Sequence, residues 1–245
     1  MSPTNKTWAQ PKYKFLIPVN QELMRIFHLW KCKRFMQALT PQRKAVLEAK
    51  LCASELFRGK KKSYPASIPK PFQGDYVGIQ KNPKLQKLVT TVPGNIEVAA
   101  NVQRISKTDG KGTPTLFLLT KSNLALADSK GQVKSLVKLN EIDNVSVTKF
   151  SDGIFFIKLA QTATPGGKGG NDILLTSEHV IEIVARLHQA VLEMTKKKLN
   201  VQITDQFSVT FKKDPVAVKF VETSVQNGKG PVFKKKGSQM VEVHV

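Results

Sequence analysis

At 245 residues and 40% hydrophobic content, the chain can bury the core of one large domain or two small ones. It carries 39 Lys and Arg against 18 Asp and Glu, a net charge of +21. That charge selects polyanionic partners (nucleic acid, an anionic membrane or an acidic protein) without choosing among them. Two cysteines, Cys32 and Cys52, exclude a disulfide framework and make a reducing compartment the default, and no run of eighteen apolar residues offers a membrane span.

Residues 1–19, interrupted by Pro3, Pro11 and Pro18, read as an extended lead-in without the apolar stretch of a signal peptide. Asn20–Leu39 has helical spacing, with Leu23, Ile26, Phe27, Trp30, Phe35 and Leu39 assigned to one side and Arg25, Lys31, Lys33 and Arg34 to the other. Thr40-Pro41 is a helix start, Thr as N-cap and Pro at the first helical position. The second helix, with Val46, Leu47, Leu51, Leu56 and Phe57 as its apolar set, stops at Gly59. Residues 20–59 are therefore expected to form a basic helical hairpin. Residues 60–71, with Lys60, Lys61, Lys62 and Pro65, Pro69 and Pro71, read as a polybasic linker at a domain boundary.

From Phe72 the pattern turns to β. Short apolar runs bounded by Gly, Asn, Asp or Ser predict strands at 75–80, 96–105, 115–120, 124–127, 132–139, 145–150, 154–159 and 172–175. The segment 82–88 is a candidate helical turn, and the Gly-rich 162–171 a mobile loop. A strong amphipathic helix follows over 178–198, capped by Ser177, with Val180, Ile181, Val184, Leu187, Val191 and Leu192 facing a core. Strands return at 201–203, 206–211, 216–221, 231–233 and 240–245, with a second lysine triple at Lys234, Lys235 and Lys236.

The loop between strands 96–105 and 115–120 holds Lys107, Asp109, Gly110, Lys111 and Gly112. It is either a solvated turn or a cradle for a phosphorylated ligand. Catalytic chemistry has no foothold. Gly110-Lys-Gly-Thr113 and Gly166-Gly-Lys-Gly-Gly170 lack phosphate-loop spacing and a following helix. His28, His179, His188 and His244 form no metal spacing with one another or with the cysteines, and no Ser/His/Asp or Cys/His constellation is defensible. No catalytic residue, metal ligand or cofactor is expected. Nucleic acid is the competitor on charge alone, but aromatics are only 7% of residues, and neither an RNA-recognition motif nor a zinc-finger spacing occurs. No specific nucleic-acid partner is expected.

Seven or so antiparallel strands followed by one amphipathic helix resemble the layout of a pleckstrin-homology barrel, in which the helix plugs one open corner. The expected class is α+β: a helical hairpin, a pleckstrin-homology-like antiparallel β-barrel over 72–198, and extra strands over 199–245. WKCKRF (Trp30–Phe35), KLCASELFRGKKKSYP (Lys50–Pro65), PFQGDYVGIQKNPKLQKL (Pro71–Leu88), FLLT (Phe117–Thr120), SEHVIE (Ser177–Glu182) and KKKGS (Lys234–Ser238) resemble the tail of a short-tailed class I myosin, nearest the brush-border form. The resemblance implies a post-neck helical segment and a tail-homology domain that binds anionic phospholipid, including phosphatidylinositol bisphosphate and phosphatidylserine. It implies a peripheral place at the inner face of the plasma membrane, in actin-rich protrusions such as microvilli. It also implies an ATPase motor upstream that makes the actin contact.

The family's lipid site uses a basic residue late in the first barrel strand and an arginine eleven positions on. These fall on Arg104, which keeps the charge, and on Thr115, which does not. Arg offers a phosphate a bidentate fork, whereas Thr offers one hydroxyl, so head-group selectivity is expected to be weakened. Lys107, Lys111 and Lys121 are the candidates to supply the missing charge. Lys60, Lys61, Lys62, Lys234, Lys235 and Lys236 are expected to add electrostatic attraction to an anionic leaflet. Arg25, Phe27 and Trp30 suit a calmodulin-like light chain, although Asn20-Gln21 and Arg25 only partly reproduce a light-chain motif. A protein adaptor that docks cargo is the competing class of function.

Overall fold

The computed structural model describes residues 13–106, 111–160, 172–211, 214–222, 232–235 and 240–245. The chain divides into two compact units, residues 1–45 and 46–245.

In the first unit α1 spans Leu16–Gln37 and has no buried residue. It starts earlier than expected because Pro18 lies in the first turn, where a missing N–H costs nothing. The expected separation of apolar and basic sides does not hold. Lys31 lies over the Phe27 ring at 5.3 Å and Arg34 near the Trp30 ring at 5.9 Å, so cations and aromatics share faces. At 100° per residue, Arg34 falls among Leu23, Phe27 and Trp30, not opposite them. Helix α2, Pro41–Phe57, begins at Thr40, whose Oγ1 accepts from the Arg43 N–H at 3.3 Å, and ends before Gly59 at φ +71°.

In the second unit an eight-stranded sheet has the order β4-β3-β2-β1-β7-β6-β5-β8. Its strands are β1 (Ile96–Ile105), β2 (Gly112–Thr120), β3 (Asn123–Ala127), β4 (Val133–Lys138), β5 (Ile142–Thr148), β6 (Ile154–Leu159), β7 (Ile173–Thr176) and β8 (Asn200–Thr204). This corrects the expected closed antiparallel barrel. The sequence neighbours β4 and β5 do not pair, being separated by a tight turn at Leu139–Glu141, and β5 gives its free edge to β8 in parallel. The predicted strand over 75–80 is also absent. Asp75 makes one bridge to Ala99, and its carboxylate accepts from the N–H groups of Val77, Gly78 and Ile79, which bends the chain into a turn.

Helix α5, Val180–Thr195, lies against the core face of the sheet, burying Val180, Ile181, Ile183, Val184, Ala185, Leu187, Ala190 and Val191. Ala49, Cys52, Ala53 and Phe57 of α2 join the same cluster. Leu47 and Leu51, expected among the apolar set of α2, are exposed instead. Ser177 does not cap α5: the cap position is His179, whose N–H donates to Ser177 Oγ at 3.2 Å. Lys196 ends the helix in a left-handed turn, φ 58°. Gly153 has no room for a side chain, since a Cβ there would sit 2.1 Å from the Ser177 carbonyl.

A short helix, α3, spans Tyr64–Ser67, with Tyr64 in the same cluster as α2 and α5. Two further layers cover the sheet's outer face. Helix α4, Pro83–Thr91, packs Leu85 and Leu88 on Ala99, Leu116, Leu118 and Ala125. A second sheet, order β11-β12-β10-β9, is built from β9 (Gln206–Phe211), β10 (Asp214–Val221), β11 (Val232–Lys235) and β12 (Met240–His244). Its Phe207, Val218, Phe220 and Val243 meet Ile105, Phe150, Ile154, Phe156 and Leu174 of the large sheet. Strand β6 is thus covered on both faces, Phe155 toward α5 and Phe156 toward the second sheet, which accounts for its unbroken apolar run. Of the strands after α5, β8 completes the large sheet and β9–β12 form the other. Within the stretch 60–71, Lys61 and Tyr64 are buried and Tyr64 begins α3.

Candidate functional site

Arg104 is held by two neighbours at once, opposite Thr113 on β2 and Leu175 on β7. The row continues through Phe155 on β6 to Val147 on β5. Directly opposed residues share a face. Leu175, Phe155 and Val147 are buried beneath α5, so Arg104 stands on the core-facing side of the sheet. It is nonetheless exposed, as is Thr113 beyond it, so in this row the packed core ends at Leu175. Two residues back, Val102 is still buried. An arginine on that side, beyond the last packed residue, opens a cationic position at the rim of the core.

Thr115 is opposite Val102, one diagonal from Arg104 and on the same face. Such a diagonal spans roughly 7–8 Å between Cα atoms. The Thr115 hydroxyl donates to the Thr113 carbonyl at 3.0 Å. The structure therefore brings Arg104, Thr113 and Thr115 together, with exposed Lys111 on the connecting loop, where the Ser106 N–H donates to the Lys111 carbonyl at 2.9 Å. Lys107 lies outside the described residues. So does the Gly-rich stretch 162–171.

Lys121 is not part of this group. It follows Thr120, which pairs with Ile96 at the far end of β1. Six residues of strand separate it from Thr115, roughly 20 Å. Its electrostatic neighbour is Glu97, whose carboxyl is raised by burial and by Glu193 and lowered by Lys121.

The lysine triples fare unevenly. Lys60 and Lys62 are exposed, but Lys61 is 2% exposed. Its ammonium donates to the Thr148 carbonyl at 2.9 Å, the Phe150 carbonyl at 3.0 Å and Thr148 Oγ1 at 3.2 Å. Burial pulls its pKa down to about 8, with Asp152 opposing. Lys61 is accordingly not a surface charge, because three protein oxygens replace its water. Lys234 is exposed on β11, Lys235 belongs to the same strand, and Lys236 lies outside the described residues. On α1, Arg25 is paired with Glu22, and Phe27 and Trp30 stack at 6.1 Å with both rings exposed.

Two constellations were missed from sequence. Cys52 Sγ lies 3.6 Å from His188 Nδ1, across 136 positions of chain. Burial and Glu55 push the thiol up to about 11, and burial and Lys198 lower the imidazole, so both stay neutral near pH 7. A neutral buried thiol is a packing group, not a nucleophile. The second constellation centres on Glu182, 2% exposed on α5, which accepts from the Gly74 N–H at 3.0 Å, from the Tyr76 hydroxyl and from Arg186 Nε at 3.4 Å. Tyr76 also stacks on His179 at 3.6 Å. The SEHVIE stretch is thereby explained as a structural clamp on the turn at 74–79. Among the described residues no group of three or more His, Cys, Asp or Glu is placed to hold a metal, and no helix is long and apolar enough to cross a membrane.

Residues 63–244 match the family described as unconventional myosin tail, actin- and lipid-binding, and the chain belongs to that family. It corresponds to the tail and not to the catalytic motor region. It is 46% identical to unconventional myosin-Ia of Gallus gallus over 246 residues, covering 100% of this chain and 23% of that protein. It is 44% identical to unconventional myosin-Ib of Mus musculus, covering 100% and 22%. Unconventional myosin-Ic of Bos taurus is more distant, 27% identical over 196 residues, 80% of this chain and 17% of that protein. The chain thus spans about a quarter of the length of the curated relatives it matches. The family description names actin beside lipid as a ligand of the tail, whereas the sequence reading placed actin only with the upstream motor.

Proposed function

We propose that this chain anchors an actin motor to membrane by binding anionic phospholipid, phosphatidylserine and phosphatidylinositol bisphosphate among them. The carrying observation is the exposed Arg104 on the core-facing side of β1, at the rim of a pleckstrin-homology-like layout of strands closed over by α5. A guanidinium there meets a phosphate without first leaving a buried partner. Thr115 on the same face supplies no second charge, so Arg104 with Lys111 makes a partial head-group site, and the remaining affinity comes from exposed lysines. The setting that suits this is the inner face of the plasma membrane and its actin-rich protrusions, with the ATPase motor lying upstream.

The test is sedimentation with vesicles of equal total charge, with and without phosphatidylinositol bisphosphate. A partial site predicts a small preference that Arg104→Ala removes. Equal binding to both vesicles, unchanged by that substitution, leaves only a basic surface. Equal binding to neutral and anionic vesicles rejects the membrane reading.

A second reading is favoured at α1. Exposed Phe27 and Trp30, with Lys31, Lys33 and Arg34 among them, fit a calmodulin-like light chain, whose acidic groove takes aromatic anchors on a basic helix. Titration of calmodulin against the chain and a Phe27→Ala/Trp30→Ala variant tests it; equal affinity would reject that role. An apolar cargo-docking adaptor would instead hold its partner at high salt, where surface electrostatics fade.

A further inference from the structure

Lys60, Lys61 and Lys62 do not behave as one solvated run. The middle ammonium enters the protein and is held by the β5–β6 turn, at the Thr148 and Phe150 carbonyls. The next backbone group follows the same line, the Lys62 N–H donating to the Lys149 carbonyl at 2.9 Å. Segment 60–62 is therefore fastened along segment 148–150. Lys60, Lys62 and Lys149 are left exposed around the fastening. The Lys62 and Lys149 ammoniums lie 5.7 and 5.4 Å from the Phe150 ring centroid. Each also has a carboxylate partner, Glu222 for Lys62 and Asp205 for Lys149.

We propose that Lys60, Lys62 and Lys149 form a pegged basic platform that meets an anionic bilayer, Lys149 being a contact residue that its sequence neighbours give no reason to suspect. This rests on the reading of the chain as a membrane-binding tail. Three features favour a bilayer. The peg holds the lysines on an ordered turn, so little chain freedom is lost on contact. The two ion pairs are about half exposed on both sides, hence screened and weak, and lipid head groups replace the carboxylates at small cost. Phe150 is 8% exposed beneath its cations and presents no open ring for a nucleobase to stack on.

The experiment compares wild type with a Lys62→Gln/Lys149→Gln variant on phosphatidylcholine vesicles with and without phosphatidylserine. Each lysine at an anionic leaflet contributes roughly fivefold in affinity, so the double variant should lose about 25-fold and Lys149→Gln alone about fivefold, with Lys149→Arg retaining wild-type binding. Unchanged affinity of the double variant, while wild type still prefers phosphatidylserine, overturns the platform and leaves the membrane reading intact. Absence of that preference in wild type removes the reading itself. A Glu222→Gln/Asp205→Asn variant guards against misfolding of the lysine variants: it releases both lysines and should bind phosphatidylserine vesicles more tightly, and no gain would count against the platform.

Discussion

The Lys61 ammonium lies 2.9 Å from the Thr148 carbonyl, and this bond turns a residue that reads as surface charge into a buried peg. Its pKa falls to about 8 from an ordinary 10.5 because burial penalises the charged form. Between those values the unfolded chain holds a proton that the folded chain releases, so stability rises with pH across the window. Below about pH 8 both states are protonated and the cost of burying the charge is fully present. Urea unfolding of wild type and Lys61→Met from pH 7 to 10.5 should show the stability difference moving toward wild type by about 3 kcal/mol. A flat difference would mean that the ammonium stays charged throughout.

The two cysteines should separate cleanly by reactivity. Cys32 is exposed on α1, whereas Cys52 is buried with its thiol pushed up to about 11. A chromogenic disulfide reagent at pH 8 should titrate one thiol quickly and the second only in denaturant. Rapid modification of both would contradict the packing of α2 against α5.

Glu182 ties the turn at 74–79 to α5. Removing the carboxylate by Glu182→Ala leaves the Gly74 N–H and the Arg186 guanidinium short of an acceptor and the Tyr76 hydroxyl with only the Pro71 carbonyl at 3.4 Å, for a loss of about 2–4 kcal/mol. Glu182→Gln keeps an acceptor oxygen and should lose less. Chemical denaturation midpoints of the two variants check both the size and the order.

Thr115→Arg would place a second guanidinium one diagonal from Arg104 on the same face. The expected outcome is greater selectivity for phosphatidylinositol bisphosphate over phosphatidylserine at matched vesicle charge, on the order of tenfold for one added charge-assisted contact of about 1.5 kcal/mol. Lys121→Ala should leave that selectivity alone, since Lys121 sits at the other end of β2.

Most of the elements were legible as local patterns. Strands β1, β6 and β9 have the bounds that their apolar runs predict, and Thr40 and Gly59 are the start and stop signals of α2. Errors arose where an apolar or polar residue answered to a distant partner. Asp75-Tyr-Val resembles a strand, but the Asp75 carboxylate takes three backbone N–H groups and bends it. Leu47 and Leu51 repeat correctly for a core face, yet the buried side of α2 is drawn by the small Ala49, Cys52 and Ala53, which let α5 approach closely.

The candidate site divides in the same manner. The family resemblance pointed to Arg104 and Thr115, and counting along two strands sets them on one face, because the β1–β2 register follows from one short connection. Whether Arg104 is buried could not be counted. That depends on Leu175, Phe155 and Val147, which come from three other strands and define where the core stops.

The amino-acid sequence by itself determined the α+β class and the basic character, which are properties of composition and of residues near one another along the chain, and its resemblance to known tails pointed to the family. Only the tertiary structure decided that the large sheet stays open between its edge strands β4 and β8, that Lys121 is remote from Arg104, and that Lys61 points inward while Lys60 and Lys62 do not. Three adjacent lysines are chemically identical. Their environments differ because the Thr148 and Phe150 carbonyls, nearly ninety positions away, accept hydrogen bonds from only one of them.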